Sequence, residues 1–127
     1  MERFVVLWHE MPPESDRQSH YDFMLERGPH LRTWAIHALP AIGATVEGQA
    51  LSDHRLDYLD YEGPVSGERG QVTRVDRGTY SVAAETDEAI IIEVRGEKLR
   101  GRLTIQRLAT ADQRWRFFLE AEPMVST

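Results

Sequence analysis

The chain has 127 residues, 41% of them hydrophobic and 28% charged, which is the composition of one ordinary globular domain and not of a disordered chain. It contains no cysteine, so disulfides, thiolate metal sites and thiol nucleophiles are excluded. Its net charge of −6 argues against a protein that coats nucleic acid non-specifically.

Phe4-Val5-Val6-Leu7-Trp8 is too short for a signal-peptide core or a membrane helix, and the chain reads as cytoplasmic. Arg3 to Trp8 is rich in Phe, Val and Trp and predicts a first strand that ends at His9. Pro12, Pro13, Ser15 and Asp16 make Glu10 to Ser19 a loop. His20 to Glu26 is the second strand, Arg27-Gly28-Pro29 a turn, and Leu31 to His37 the third strand of a hairpin. Pro40, Gly43 and Gly48 predict irregular chain over Leu39 to Gln49. Leu51, Leu56, Tyr58 and Leu59 predict a turn or two of helix within Leu51 to Tyr61, with Ser52 or Asp53 as its N-cap.

Turn residues follow from Glu62 to Gly67. Short strands are expected at Val72 to Asp76 and Gly78 to Val82, broken at Arg77-Gly78. Ala89 to Arg95 and Leu99 to Leu108 are further strands, Ala109 to Gln113 a turn, and Trp115 to Glu120 closes the chain. About eight short strands, little helix and no βαβ rhythm predict a mainly β protein. The expected fold is a small antiparallel β-barrel with short flanking helices, one domain over residues 1–122, and a frayed tail at 123–127. Between Glu93 and Arg116 seven basic residues stand against three acids. Such a run fits a solvated strand face and equally a local basic face for a nucleic-acid end.

Candidate chemistry lies with the histidines. His20 and Asp22 are two apart on a strand and so share a face. His9 ends the preceding strand and comes close to His20 in an antiparallel pair. Two nitrogens and one oxygen suit Mn²⁺, Fe²⁺, Co²⁺ or Zn²⁺ with open positions, although two unrelated surface histidines would give the same pattern. His54 and Tyr58 are four apart and share a face on a helical turn. They suit a phosphate oxygen, and equally a capped turn with Tyr58 in the core.

The stretches Phe4-Val5-Val6…His9, His20-Tyr21-Asp22-Phe23-Met24-Leu25-Glu26, Leu31-Arg32-Thr33-Trp34, Asp53-His54-Arg55-Leu56-Asp57-Tyr58 and Tyr61-Glu62-Gly63 resemble the 3′-phosphoesterase domain of bacterial DNA ligase D. Asp76-Arg77-Gly78-Thr79-Tyr80 and Gly96 to Arg102 continue the match in order, up to about Leu119. The chain looks like a stand-alone member. The resemblance implies a metal-dependent phosphoesterase of DNA repair that acts on 3′-phosphate or 3′-ribonucleotide ends of nucleic acid. It implies Mn²⁺ as the preferred metal, with Zn²⁺ or Co²⁺ as substitutes, held by His9, His20 and Asp22. His54 and Tyr58 map to the phosphate pocket.

The departures are cationic or polar. A phosphate-binding Arg of the family is Met24 here, a Gln is Leu7, a Lys aligns near Ala38, an Arg near Val46, and an acid is Ser52. Arg17, Arg32 and Arg55 are the candidates to replace the lost cations. These losses keep open a non-catalytic module that binds nucleic-acid ends or a repair protein, or a hydrolase of small phosphoesters.

Overall fold

The computed structural model describes residues 2–109 and 113–122; the side chain of residue 109 is not described. Nine strands run in chain order: β1 (Glu2–Glu10), β2 (His20–Arg27), β3 (His30–Ile36), β4 (Thr45–Arg55), β5 (Gly63–Pro64), β6 (Gln71–Glu85), β7 (Ala89–Gly96), β8 (Arg100–Ala109) and β9 (Arg114–Glu120). All the strand pairs are antiparallel. Strands β1 to β4 form one meander and β6 to β9 another. Pairing of β4 with β9 and of β1 with β6 closes them into an eight-stranded barrel, with β5 attached to β6 outside the ring. Closure leaves the ring no unpaired edge, the liability that an open sheet of this length would carry.

Alternation along each strand fills the barrel. Phe4 and Val6, Phe23 and Leu25, Trp34 and Ile36, Ile90 and Ile92, Leu103 and Ile105, and Trp115 and Phe117 point into one buried cluster. Phe23, Trp34, Trp115 and Phe117 meet within it edge-on or tilted, the arrangement that the ring quadrupoles favour.

A second apolar cluster lies on the outer wall. Val5 and Leu7 of β1, Met24 of β2 and Leu31 of β3 pack against Leu59 and Val65 from the connection between β4 and β6. That connection lies as a cover on the β1–β2–β3 face, so β1 and β2 are buried on both sides. This explains the near-continuous apolar run from Phe4 to Leu7.

Four sequence expectations are corrected. No α-helix occurs among the described residues. The short flanking helices reduce to one 3₁₀ turn at Leu56–Leu59, whose N-cap is Arg55 with no side-chain cap, and not Ser52 or Asp53. Leu51 to Arg55 is strand because it pairs with β3, and tertiary pairing outweighs a weak helical pattern. The irregular stretch gives way to β4 at Thr45. Gly48 does not break it: a Cβ there would overlap Ile36 and the Ala35 carbonyl, so the glycine marks a close approach between strands. Gly78 likewise sits against the Arg95 carbonyl, and the two short strands expected around it are the single long strand β6.

The expected turn at Ala109 to Gln113 lies mostly outside the described residues, and so does the tail at 123–127. No helix among the described residues is long and apolar enough to cross a membrane.

Candidate metal centre

His9 and His20 are direct cross-strand partners, and Asp22 stands opposite Leu7 in the same pair. Phe23 and Leu25 point into the barrel, so His20 and Asp22 point outward, as does His9, which alternates with Val6 and Trp8. One ligand atom from each of the three residues lies within 4.8 Å of the others. His20 and Asp22 are buried, and His9 is half-buried.

The hydrogen bonds fix which nitrogens face inward. His20 Nδ1 lies 2.8 Å from the Gln18 carbonyl and His9 Nε2 lies 2.6 Å from the Arg69 carbonyl. A carbonyl only accepts, so both of these nitrogens carry hydrogen. The inward nitrogens, His20 Nε2 and His9 Nδ1, lie 3.1 Å and 3.2 Å from the two oxygens of Asp22. His20 Nε2 and Asp22 Oδ1 are buried and, despite their separation, do not align as donor and acceptor. In neutral imidazoles both inward nitrogens are bare lone pairs set against a carboxylate. Only a proton or a metal cation between them relieves that arrangement. Backbone carbonyls that orient ligand imidazoles from behind are the usual support of such a centre.

The protonation behaviour agrees. The Asp22 carboxylate, by hydrogen bonding, holds His9 above its ordinary value; burial opposes this, and the Arg69 carbonyl adds to it. Burial pushes the Asp22 carboxyl up, but the two imidazoles, His20 first, more than offset it, and Asp22 titrates below its ordinary value.

The triad opens onto a groove of about 420 Å³ that is also lined by His54, Tyr58 and Asp53. His54 and Tyr58 do come together, with ring centroids 5.7 Å apart, but not on one helix: His54 lies next to the end of β4 and Tyr58 lies in the 3₁₀ turn. His54 Nδ1 donates to the Ser52 carbonyl at 2.9 Å, which leaves Nε2 available to a ligand. Arg17 and Arg55 line the groove, whereas Arg32 stacks over Trp34 and Trp115 instead. Met24 and Leu7 are fully buried in the outer apolar cluster, so the floor beside the triad is uncharged.

Sequence reasoning missed Arg69. It lies just beyond the turn residues read at Glu62 to Gly67, and nothing local signals that its carbonyl meets His9. Gly70 makes that meeting possible. Its φ is +82°, and a Cβ would overlap the Glu10 carbonyl at the end of β1. Gly70→Ala is therefore expected to shift Arg69 away from His9. The loss of such a supporting contact typically weakens metal affinity about 10- to 100-fold. A metal titration beside a thermal melt checks this: wild-type affinity in a folded variant would contradict it.

The family model of the DNA ligase D 3′-phosphoesterase domain matches residues 14–107, which include His20, Asp22, His54 and Tyr58 but not His9. The chain is 34% identical over 121 residues to the multifunctional non-homologous end joining protein LigD of Mycobacterium bovis, an alignment covering 88% of this chain and 15% of that protein. The protein of the same name from Pseudomonas aeruginosa is 32% identical over 110 residues, covering 79% of this chain and 13% of its own. The chain thus spans about 15% of the length of the curated relatives it matches.

Proposed function

Because this chain belongs to the DNA ligase D 3′-phosphoesterase domain family, we propose that it is a metal-dependent phosphoesterase that trims 3′-phosphate or 3′-ribonucleotide ends of nucleic acid in DNA repair. The observation that carries the metal is the pair of buried, unbonded atoms His20 Nε2 and Asp22 Oδ1, which face one another beside His9 Nδ1. His9, His20 and Asp22 would hold a divalent cation, Mn²⁺ by family preference, with Zn²⁺ or Co²⁺ compatible with the donor set. When bound it would polarise a phosphoryl oxygen and lower the pKa of a coordinated water.

The rest of the work falls to the chain. The Gln18 and Arg69 carbonyls keep the imidazoles oriented. His54, its Nδ1 hydrogen committed to the Ser52 carbonyl, presents Nε2 to the phosphate and, when protonated, gives its proton to the leaving oxygen. The Tyr58 hydroxyl donates to a non-bridging oxygen. The cytoplasm suits a repair role.

The test is a primer–template bearing a 3′-phosphate or a 3′-ribonucleotide, incubated with Mn²⁺ and with chelator. Trimming that chelator abolishes and added Mn²⁺ restores is expected. Trimming unaffected by chelator would overturn the reading. A second reading, a module that binds ends without cutting them, is favoured by the apolar floor that Met24 and Leu7 make where the family carries cations and polar groups. Salt-dependent binding of the 3′-phosphate primer without product would select it. Faster hydrolysis of small phosphate esters than of primer ends would select a small-substrate hydrolase.

Metal binding is expected to depend on pH through His9. Its raised pKa means that Nδ1 still holds a proton at pH values where a free imidazole has lost it. In the metal-free protein the protonated pair contributes stability fully below the unfolded value of about 6.5, and loses it as pH rises through the raised folded value. That proton would have to leave Nδ1 before His9 could act as a ligand. Affinity is therefore expected to rise by up to about tenfold per pH unit below the folded value and to level off above it. Calorimetry in two buffers of different ionisation enthalpy reads the released proton, and a pH-independent affinity would contradict the assignment.

A further inference from the structure

Within the proposed end-processing reading, one gap remains: the floor of the groove on β1 and β2, beside the triad, carries no cation. Met24, beside Asp22 on the outer face of β2, is fully buried among apolar side chains, and so is Leu7. A phosphate at the triad would find no charged partner on the strands next to it.

Three arginines nevertheless line the groove, each from a different segment. Arg17 comes from the connection between β1 and β2, Arg55 from the junction of β4 with the 3₁₀ turn, and Arg69 from the connection between β5 and β6. All three are exposed. Arg17 and His9 line the same groove. The connection that carries Arg17 is pinned: the Met11 amide donates to Ser19 Oγ at 2.9 Å, and the Arg17 amide donates to Ser15 Oγ at 3.1 Å.

Arg69 is held from behind. Its Nε donates to the Ser66 carbonyl at 2.7 Å and one terminal nitrogen donates to Ser66 Oγ at 3.1 Å. Neither Arg17 nor Arg55 has an ion pair with a carboxylate among the described residues. The carboxylates that line the groove are Asp22, committed to the two histidines, and Asp53.

We propose that Arg17, Arg55 and Arg69 form a clamp for a terminal phosphate at the triad, replacing a cationic floor on β1 and β2 with rim cations from two loops and the end of β4. A planar guanidinium meets a phosphate with two parallel N–H donors, and three of them from three directions suit the oxygens of a terminal phosphate better than the two free oxygens of an internal diester. The apolar floor then serves as a dry wall and leaves the charge to the rim.

The probes are a labelled oligonucleotide ending in a 3′-phosphate and the same oligonucleotide ending in a 3′-hydroxyl. Binding is read by anisotropy across a salt series, with the wild type, R17A, R55A, R69A and the lysine variant at each position. Arg95→Ala, on β7 and outside the groove, is the control. Each groove variant is expected to weaken 3′-phosphate binding about tenfold or more, the scale of one charge-assisted contact. Each is also expected to reduce the slope of log affinity against log salt by about 0.7. The lysine variants should recover the slope but not the full affinity, because the bidentate geometry is gone. Arg95→Ala and the 3′-hydroxyl oligonucleotide should change little.

A wild-type preference for the 3′-phosphate that persists in all three alanine variants would overturn the clamp alone. A wild-type protein without that preference would overturn the end-processing reading and the clamp with it.

Discussion

Asp22→Asn is expected to abolish turnover of a 3′-phosphate end without unfolding the barrel. Among the described residues, the Asp22 carboxylate is the anion that contacts both inward-facing imidazole nitrogens. A carboxamide has the same shape, keeps one acceptor and gains a donor for a bare histidine lone pair, so the substitution adds no unsatisfied buried group to the cluster. The charge that would draw a divalent cation is lost. A supporting contact behind a ligand is typically worth about 10- to 100-fold in activity, so loss of a ligand's charge is expected to cost more than about 100-fold. The melting temperature is expected to stay within a few degrees of wild type, measured with chelator present. Turnover near the wild-type rate, or a collapse in stability that accounts for the loss, would refute this assignment.

Asp76→Ala is expected to do the opposite, costing stability but not chemistry. Asp76 is buried on β6, far in sequence from the turn it supports. Its Oδ1 accepts from the amides of Arg77, Glu97 and Lys98 at 2.8, 2.8 and 3.1 Å, and its Oδ2 accepts from Leu99 at 2.7 Å. One carboxylate thus satisfies the amides of the turn between β7 and β8. Alanine would strand these donors, of which the Leu99 amide is buried, at about 1–3 kcal/mol for each one left without water. A total near 3 kcal/mol is expected, which for a domain of this size lowers the melting temperature by about 10 °C. At temperatures where the variant is folded, metal affinity and turnover should match wild type, because Asp76 is not among the residues that line the groove. A wild-type melting temperature would show that the turn does not depend on this carboxylate.

The two predictions separate the parts of the molecule that the sequence made legible from those it did not. The triad was legible because it rests on short-range rules. Residues two apart on β2 share a face, and the ends of two consecutive strands meet in an antiparallel pair. That the triad lies on the outer wall was not legible, because the cover that buries this wall comes from the connection between β4 and β6. The apolar Val5, Leu7 and Met24 carry no mark of which surface they face.

His54 and Tyr58 were paired through helical spacing, yet they meet as a strand end and a 3₁₀ turn. The pairing of Leu51 and His54 with β3 overrode the local pattern. Gly48 and Gly78 were read as breaks because glycine favours turns, whereas here each permits two strands to approach closely. Arg69 carried no local signal for the metal centre, since its carbonyl meets His9, 60 residues away in the chain.

The most direct test of the account is a single-turnover assay of a 3′-phosphate primer–template at saturating Mn²⁺, comparing the wild type with His20→Ala. His20 contributes a buried nitrogen, Nε2, that lies 3.1 Å from Asp22 Oδ1 and has no hydrogen-bond partner among the described residues. Release of phosphate by the wild type, lost in the variant while its barrel remains folded, is the predicted result. Release at the same rate by both proteins would contradict the assignment of His9, His20 and Asp22 as the metal centre of a phosphoesterase.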